Sequence, residues 1–424
     1  MKNSGSVLAV EGGEPAVTHP MPPMFPGGMR IGKEEEQAVL EVICSKRLFR
    51  YYGPHEGPSK VAELEQTFSA YMGSRYALAV TSCTAALMCG LAGLGIGPGD
   101  EVIVPAYTWI ASASAVVASG AVPVLAEVDE SLTLDPLDVG AKITPYTRAI
   151  LPVHMRGAPS RMDALMALAH GHNLGVLEDT AQANGASYRG KRLGTFGDAG
   201  AYSLQFNKII TSGEGGMVVT DDEDIYRRMQ MFQDVVGGIR NHIPADQILP
   251  GNNFRMPELF GAVALVQLGR LEALLVDMRR HKQVIKEGMA EVARRKGVQF
   301  RTINDPVGET AIALIFFLPD TARAKRVGAA LEAEGINNFQ MYTPADVDYH
   351  VYAHWTPILE QRTWTPQGGL WKNHPRPVTY SVDMCLHTLD LLGRAIHIDI
   401  SPDLSLTTVE EMTEGLNKVL NALL

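Results

Sequence analysis

Between Ser59 and Gly73 the apolar residues Val61, Leu64, Phe68 and Tyr71 recur at helical spacing, and residues 33–48 show a similar amphipathic pattern. An arm rich in Gly, Pro and Met over residues 1–32 precedes these two helices, and the turn Arg50-Tyr51-Tyr52-Gly53-Pro54 joins them. Beyond Gly73 the pattern changes. Short apolar runs at 76–80, 102–105, 122–128, 149–153, 175–177, 199–203 and 216–220 alternate with helix-like stretches or polar, Gly-rich loops. Strands that read apolar throughout are buried on both faces. The expectation is an α/β chain: a three-layer α/β/α domain built on a mostly parallel sheet.

From 256 to about 295 the spacing is helical throughout, with Leu259, Val263, Val266, Leu268, Leu271, Leu274 and Leu275 as its apolar positions. Strands near 298–303, 311–318 and 395–400 and a helix at 322–334 then predict a smaller α+β unit. Thr407 and Glu410 stand at capping-box spacing for a final helix. The expected organisation is an arm over 1–32, a large domain over 33–280 and a small domain over 281–424. A loop-rich stretch at 355–377 holds Trp355, Trp364 and Trp371, and its aromatics argue for a packed or functional loop.

Composition narrows the function classes. The chain has 424 residues, 46% of them hydrophobic, and a formal net charge of −10, which excludes a disordered or fibrous protein. With no Lys/Arg run to supply a positive footprint, a nucleic-acid ligand is not expected. The strand-like apolar run at 311–318 falls short of the ~20 residues a membrane span needs, and the first thirty residues lack a signal-peptide pattern. Cys44, Cys83, Cys89 and Cys385 are scattered without paired spacing, so reduced thiols in a cytoplasmic protein are expected.

Four strand ends carry candidate chemistry. Ser203 and Lys208 follow one strand and lead into the glycine turn Gly213-Glu214-Gly215-Gly216. A lysine placed where open α/β sheets bind ligands, and partly desolvated, can form a Schiff base with a carbonyl. Asp179 ends another strand and could hold a protonated ring nitrogen, whereas Glu178 reads as structural. Thr81-Ser82-Cys83-Thr84-Ala85 begins a helix and could cradle a phosphate. Trp109 ends a strand and could lie on a conjugated ring. Each has a plainer alternative: a loop lysine, a helix cap, a cluster of N-cap hydroxyls, a core tryptophan.

Taken together, Glu101-Val102-Ile103-Val104-Pro105, Glu178-Asp179-Thr180-Ala181-Gln182-Ala183, Ser203 with Lys208, and Gly251-Asn252-Asn253-Phe254-Arg255-Met256 give the chain its likeness. From about residue 33 onward it resembles the pyridoxal phosphate (PLP)-dependent sugar and cyclitol aminotransferases of the DegT/StrS family, a branch of the fold-type-I aminotransferases. The resemblance implies that Lys208 condenses with the cofactor aldehyde, Asp179 holds the pyridine nitrogen, Trp109 stacks on the ring and Gln182 lies beside the ring hydroxyl. It assigns the phosphate to Thr84, to the backbone around Cys83 and Ala85, and to Ser203. Asn253 would reach the neighbouring subunit's phosphate site, which implies a homodimer with shared active sites. Cys83 stands where the family often has Gly, Asn184 where it frequently has His, and the C-terminal region is long and aromatic.

The resemblance further implies an amino-acid donor, L-glutamine or L-glutamate, and a polyhydroxylated ketone acceptor. The turn bearing Tyr51 and Tyr52 and the long C-terminal region look most like enzymes that aminate inososes during aminoglycoside assembly. A nucleotide-linked keto-sugar acceptor is the alternative. PLP-dependent dehydratases of the same type characteristically place His where Lys208 stands, and a non-catalytic regulatory member is a third reading. His350 and His354 stand four residues apart, but Val351 breaks an HExxH pattern, so no metal site is expected. A substrate role is open to both histidines, as it is to Asn184. His170 and His172 read as cations closing a helix, and Glu34-Glu35-Glu36 as a solvated helix start.

Overall fold

A computed structural model describes residues 7–54, 57–365 and 368–424. The first six residues of the expected arm and two residues of the aromatic loop therefore lie outside the described residues.

The large domain is the expected three-layer unit. Its strands are β1 (Tyr76–Val80), β2 (Glu101–Pro105), β3 (Val122–Ala126), β4 (Thr147–Ile150), β5 (Gly175–Asp179), β6 (Ala199–Ser203) and β7 (Gly216–Thr220). They form one seven-stranded sheet in the order β1-β7-β6-β5-β4-β2-β3. The pairs from β6 to β3 are parallel, while β7 runs antiparallel to both β1 and β6. Strands β2, β3, β6 and β7 are buried along their whole length, as continuous apolar runs require.

The helices follow from their caps and faces. Helix α1 (Lys33–Ser45) stops three residues before the expected end. Helix α2 (Lys60–Met72) starts where Ser59 Oγ accepts from the Ala62 N–H at 3.0 Å, a cap worth about 1 kcal/mol. Helix α3 (Cys83–Gly93) and helix α4 (Ala111–Ala118) follow β1 and β2 on one face of the sheet, so that their N-termini open at the strands' carboxyl ends. Glu35 at the start of α1 is not solvated as expected. It is 2% exposed, accepts from the Gly32 N–H at 2.8 Å, and pairs with Gln267 at 2.9 Å and Arg270 at 3.0 Å. A capping-box carboxylate here doubles as an anchor between distant helices.

One helix, α5 (Glu258–Lys296), is 39 residues long and crosses the expected domain boundary at 280 without interruption. By length and composition it could cross a membrane, which the apolar runs of the sequence did not suggest. Its apolar positions Leu268, Leu271, Leu275 and Met278 instead pack in the same core cluster as Val61, Leu64 and Phe68 of α2. Glu258 joins the two helix starts, accepting from Ser59 Oγ at 2.5 Å and from the Lys60 N–H at 2.6 Å.

The small unit contains an antiparallel sheet of β8 (Gln299–Phe300), β9 (Ala313–Phe317) and β10 (Ala395–Asp399), and it ends in α6 (Leu406–Leu423). Strand β8 is shorter than the pattern suggested: the Arg301 N–H still donates to the Ile315 carbonyl at 2.9 Å, but the Thr302 N–H turns away to the Glu130 carbonyl at 3.0 Å, and the Arg301 side chain donates to the carbonyls of Ser131 and Met155. The cap of α6 is Ser405, whose Oγ accepts from the Thr408 N–H at 3.0 Å; the Thr407/Glu410 box does not form. The arm is laid down on this unit. Leu8 and Val17 are buried, and the Ala9 and Ala16 N–H groups both donate to the Glu334 carboxylate at 2.9 Å.

Candidate active site

The ends of β2, β5 and β6 and the start of α3 surround a cavity of about 320 Å³. Cys83, Thr84, Trp109, Asp179, Gln182, Ser203 and Lys208 all line it, together with His350. Eight residues singled out from the sequence thus converge although they span most of the chain. Crossing strands in a doubly wound sheet bring distant loops to one edge, which is why the strand ends were informative.

Asp179, 4% exposed, is held from two sides: Ser112 Oγ donates to Oδ2 at 2.8 Å and the Ala181 N–H donates to Oδ1 at 3.0 Å. Thr108 Oγ1 lies 2.8 Å behind Ser112 Oγ. Burial pushes this carboxyl above the ordinary aspartate range, against those two hydrogen bonds and the charges of Lys208 and His154. Lys208 moves the other way. Burial lowers its amine below the ordinary lysine value, Arg156 adds a smaller push in that direction, and Cys83 and Asp179 oppose them. A low-lying amine and a buried carboxylate on one cavity are the pairing that a Schiff-base nucleophile and a ring-nitrogen partner require.

The start of α3 supplies the anion site. Ser82 caps the helix by accepting from the Ala85 N–H at 3.1 Å, so the Ala85 donor expected for the phosphate is already used. The N–H groups of Cys83 and Thr84 have no preceding turn to bond and are the free donors. Gly216 lets β7 run close beneath them: a Cβ there would lie 2.4 Å from the Ser82 carbonyl oxygen. Burial raises the Cys83 thiol well above its ordinary value, with Asp179 adding to the effect, so this residue is a neutral wall of the site.

Trp109 is 48% exposed and stands over the cavity, its ring 4.9 Å from that of His350. His350 Nδ1 is 2.8 Å from Asp348, and its Nε2 is 3.4 Å from Gln182 Nε2. Glu178 is structural, as expected: it accepts N–H bonds from Gly194, Phe196 and Gly197 and faces His154 at 3.1 Å.

Other expected residues lie elsewhere. Asn184 is 1% exposed and donates to the Ser203 carbonyl at 2.9 Å, so it braces β6 and does not meet the cavity. His354 accepts from the Asp348 N–H at 3.0 Å and packs against Tyr342. The Tyr51 ring lies under Arg240 at 4.5 Å, Tyr52 is exposed, and Asn253 is exposed beside Asp234; none of the three lines this cavity. Trp355 and Trp371 are core residues and Trp364 is fully exposed. Ser112, Thr108 and Arg156 were missed. Arg156 had a signal, since it is a basic residue just past the end of β4, but Ser112 reaches Asp179 only through the packing of α4.

Residues 29–364 match the DegT/DnrJ/EryC1/StrS aminotransferase family. An L-glutamine:2-deoxy-scyllo-inosose aminotransferase of Streptomyces paromomycinus is 34% identical over 374 residues, covering 85% of this chain and 84% of that protein. GDP-perosamine synthase of Caulobacter vibrioides is 41% identical over a shorter stretch, 55% of this chain and 63% of that protein. Among solved structures, an aminotransferase from Psychrobacter cryohalolentis superposes with a TM-score of 0.79 at 27% identity, over 95% of this chain and 100% of that one. A 3-amino-5-hydroxybenzoic acid synthase gives 0.78 at 26% identity, over 96% and 100%. With Lys208, Asp179 and the α3 N-terminus on one cavity, the chain belongs to the DegT/DnrJ/EryC1/StrS aminotransferase family and is a PLP-dependent aminotransferase.

Proposed function

We propose that this enzyme transfers the amino group of L-glutamine or L-glutamate to a keto-cyclitol of the inosose type, in the assembly of an aminoglycoside-like secondary metabolite. The observation that carries this reading is the rim of the cavity around Lys208, where the side-chain amides of Gln182, Gln205 and Asn207 present hydrogen-bonding groups suited to a polyol, with the His350 ring beside them. The inosose aminotransferases that align over most of both chains support it. A nucleotide-linked keto-sugar is the second reading, and the identity to GDP-perosamine synthase favours it.

The residues present fit the cofactor. Bound there, PLP supplies a carbonyl that takes up the donor's amine and a ring that accepts electrons from the substrate carbon. Asp179, buried and short of hydrogen-bond donors, would hold the ring nitrogen, and Ser112 keeps its carboxylate aimed. Thr84, the Cys83 and Thr84 N–H groups and Ser203 would hold the phosphate. Gln182 would lie by the ring hydroxyl and Trp109 against the ring face. Lys208, with its amine held below the ordinary lysine value, is the group that removes and returns the proton at the substrate carbon. Asn253, exposed on this chain, would serve the phosphate site of a second copy in a homodimer.

The purified protein, loaded with PLP, should lose its visible band when given the right amino donor. The aminated form should then regain it with 2-deoxy-scyllo-inosose and not with nucleotide-linked 4-keto-sugars. The reverse preference would replace the cyclitol with the nucleotide sugar. Light scattering that finds a monomer would remove the shared site.

A further inference from the structure

Beside the main cavity lies a second chamber of about 250 Å³ that shares Gln182, Asn207, Lys208 and His350 with it. Its other walls come from three parts of the chain: Phe25 and its neighbours in the arm, Arg156 past β4, and Asp399 at the end of β10. The Phe25 ring lies 5.3 Å from Phe206, so the arm closes the chamber on the side of the Lys208 loop.

Arg156 is built into this wall. It has φ of 51°, a left-handed conformation that a non-glycine residue adopts only when its surroundings enforce it. They do so on both sides. The Arg156 N–H donates to Gln182 Oε1 at 3.0 Å, and Arg301 Nη2 donates to the Met155 carbonyl at 2.8 Å. Gly157 follows with φ of 74°, and its carbonyl accepts from the Thr310 N–H at 3.0 Å. The guanidinium lies over the Phe339 ring at 5.3 Å and pairs with Asp399, yet its Nε is buried without a partner. Among the described lining residues of the two compartments, Arg156 and Lys208 are the only Lys or Arg side chains.

An amino-acid donor brings a carboxylate next to the amine that must reach the cofactor at Lys208. Lys208 is committed to that chemistry. We propose that Arg156 anchors the α-carboxylate of the amino donor in this second chamber, with Asp399 as the counter-ion it holds when no donor is bound. The inference rests on the amino-donor half of the function proposed above and adds to it a recognition group and a place. A planar guanidinium offers a carboxylate two parallel hydrogen bonds. A keto-cyclitol has no such group, so in the second half of the reaction Arg156 returns to Asp399, and the donor and the acceptor share one chamber.

The test uses the PLP-loaded protein. Glutaramate, which is glutamine without its α-amino group, is titrated by calorimetry, with butanamide as the probe lacking a carboxylate. Wild-type protein should bind the glutamine analogue glutaramate and not butanamide, and Arg156→Gln should weaken that binding at least about tenfold, the loss of a charged hydrogen-bonded pair. Asp399→Asn should tighten it severalfold by removing the competing carboxylate. In the donor half-reaction, Arg156→Gln should raise the half-saturating concentration of L-glutamine by a similar factor while leaving that of 4-aminobutanamide within about twofold. The anchor is overturned if glutaramate does not bind wild type, if Arg156→Gln binds it unchanged, or if Asp399→Asn weakens it. A wild-type protein that binds glutaramate through Arg156 but aminates nothing would sink the proposed function and leave the anchor standing. An Arg156→Gln protein that transaminates L-glutamine as well as wild type does would do the opposite.

Discussion

Ser112 Oγ donates to Asp179 Oδ2 at 2.8 Å, and this single contact connects the first turn of α4 to the end of β5 across the floor of the cavity. A buried carboxylate with few donors is costly to keep ionised, and burial already raises its proton affinity. A positively charged ring nitrogen would relieve that cost, so the electrostatic value of Asp179 is realised only with the cofactor bound. Asp179→Asn keeps the shape and removes the charge. The donor half-reaction should fall by about 10²-fold or more, the scale for loss of a buried charge-stabilising group. Ser112→Ala removes one hydrogen bond to the charged group and should cost about tenfold. Stopped-flow decay of the visible band measures both, and a Ser112→Ala rate equal to wild type would show that the hydroxyl does not aim the carboxylate.

The pH dependence of Lys208 has a defined sign. Its folded amine lies below the ordinary lysine value, chiefly through burial, with Arg156 contributing in the same direction. The neutral, nucleophilic form is therefore populated at lower pH than on a surface lysine. Uptake of PLP by the cofactor-free protein should rise with pH through an inflection below that of free lysine. Removing the positive charge in Arg156→Gln stabilises the protonated amine, moves the inflection to higher pH and slows uptake near neutrality. An inflection that moves down, or stays fixed, would show that Arg156 does not act on Lys208 through charge. Lys208→Ala should show no such inflection and no amine transfer.

Gly216 makes the anion site possible by letting two elements approach. A Cβ at this position would meet the Ser82 carbonyl oxygen at 2.4 Å and the Cys83 nitrogen at 2.8 Å, both backbone atoms that cannot rotate away. Gly216→Ala should therefore push the α3 N-terminus off β7, at a cost of about 1–3 kcal/mol of overpacking. Thermal unfolding of the cofactor-free protein reports the stability loss. Because the displaced turn carries the phosphate donors, the variant should also release PLP on gel filtration where wild type retains it. Unchanged retention would place the phosphate elsewhere.

What the sequence made legible depended on distance along the chain. Strands 76–80 and 216–220 have their expected limits because polar or glycine residues bound each apolar run, and 199–203 has its own between Asp198 and the Ser203 at its end. Lys208, Asp179, Thr84 and Trp109 were readable because each ends or follows such a strand, and a parallel sheet gathers those ends at one edge. Ser112 and Asp399 were not readable, since their roles arise from the approach of a neighbouring helix and of the small sheet. Glu35 misled for the same reason: its three-carboxylate run looks solvated until α5 is laid across it. Asn184 sits in the right motif yet turns inward to the Ser203 carbonyl, a choice set by β6 and invisible in local spacing.

Trp109 gives the most direct optical test of where the cofactor lies. Its indole is about half exposed, whereas the neighbouring Tyr107 and Tyr352 are fully buried, so packing within the chain leaves much of its ring uncovered. Facing the same cavity as Lys208, it has an open face to offer a planar ring, and such stacking contributes about 1 kcal/mol beyond burial. Trp109→Ala should weaken PLP retention by about fivefold, while Trp109→Phe keeps a ring and should recover most of it. Indole fluorescence should also be quenched as PLP is titrated into the cofactor-free wild type, and Trp109→Phe should abolish that part of the quench while still binding. If Trp109→Phe binds PLP normally but the quench persists in full, another tryptophan is responsible and the ring does not lie against residue 109.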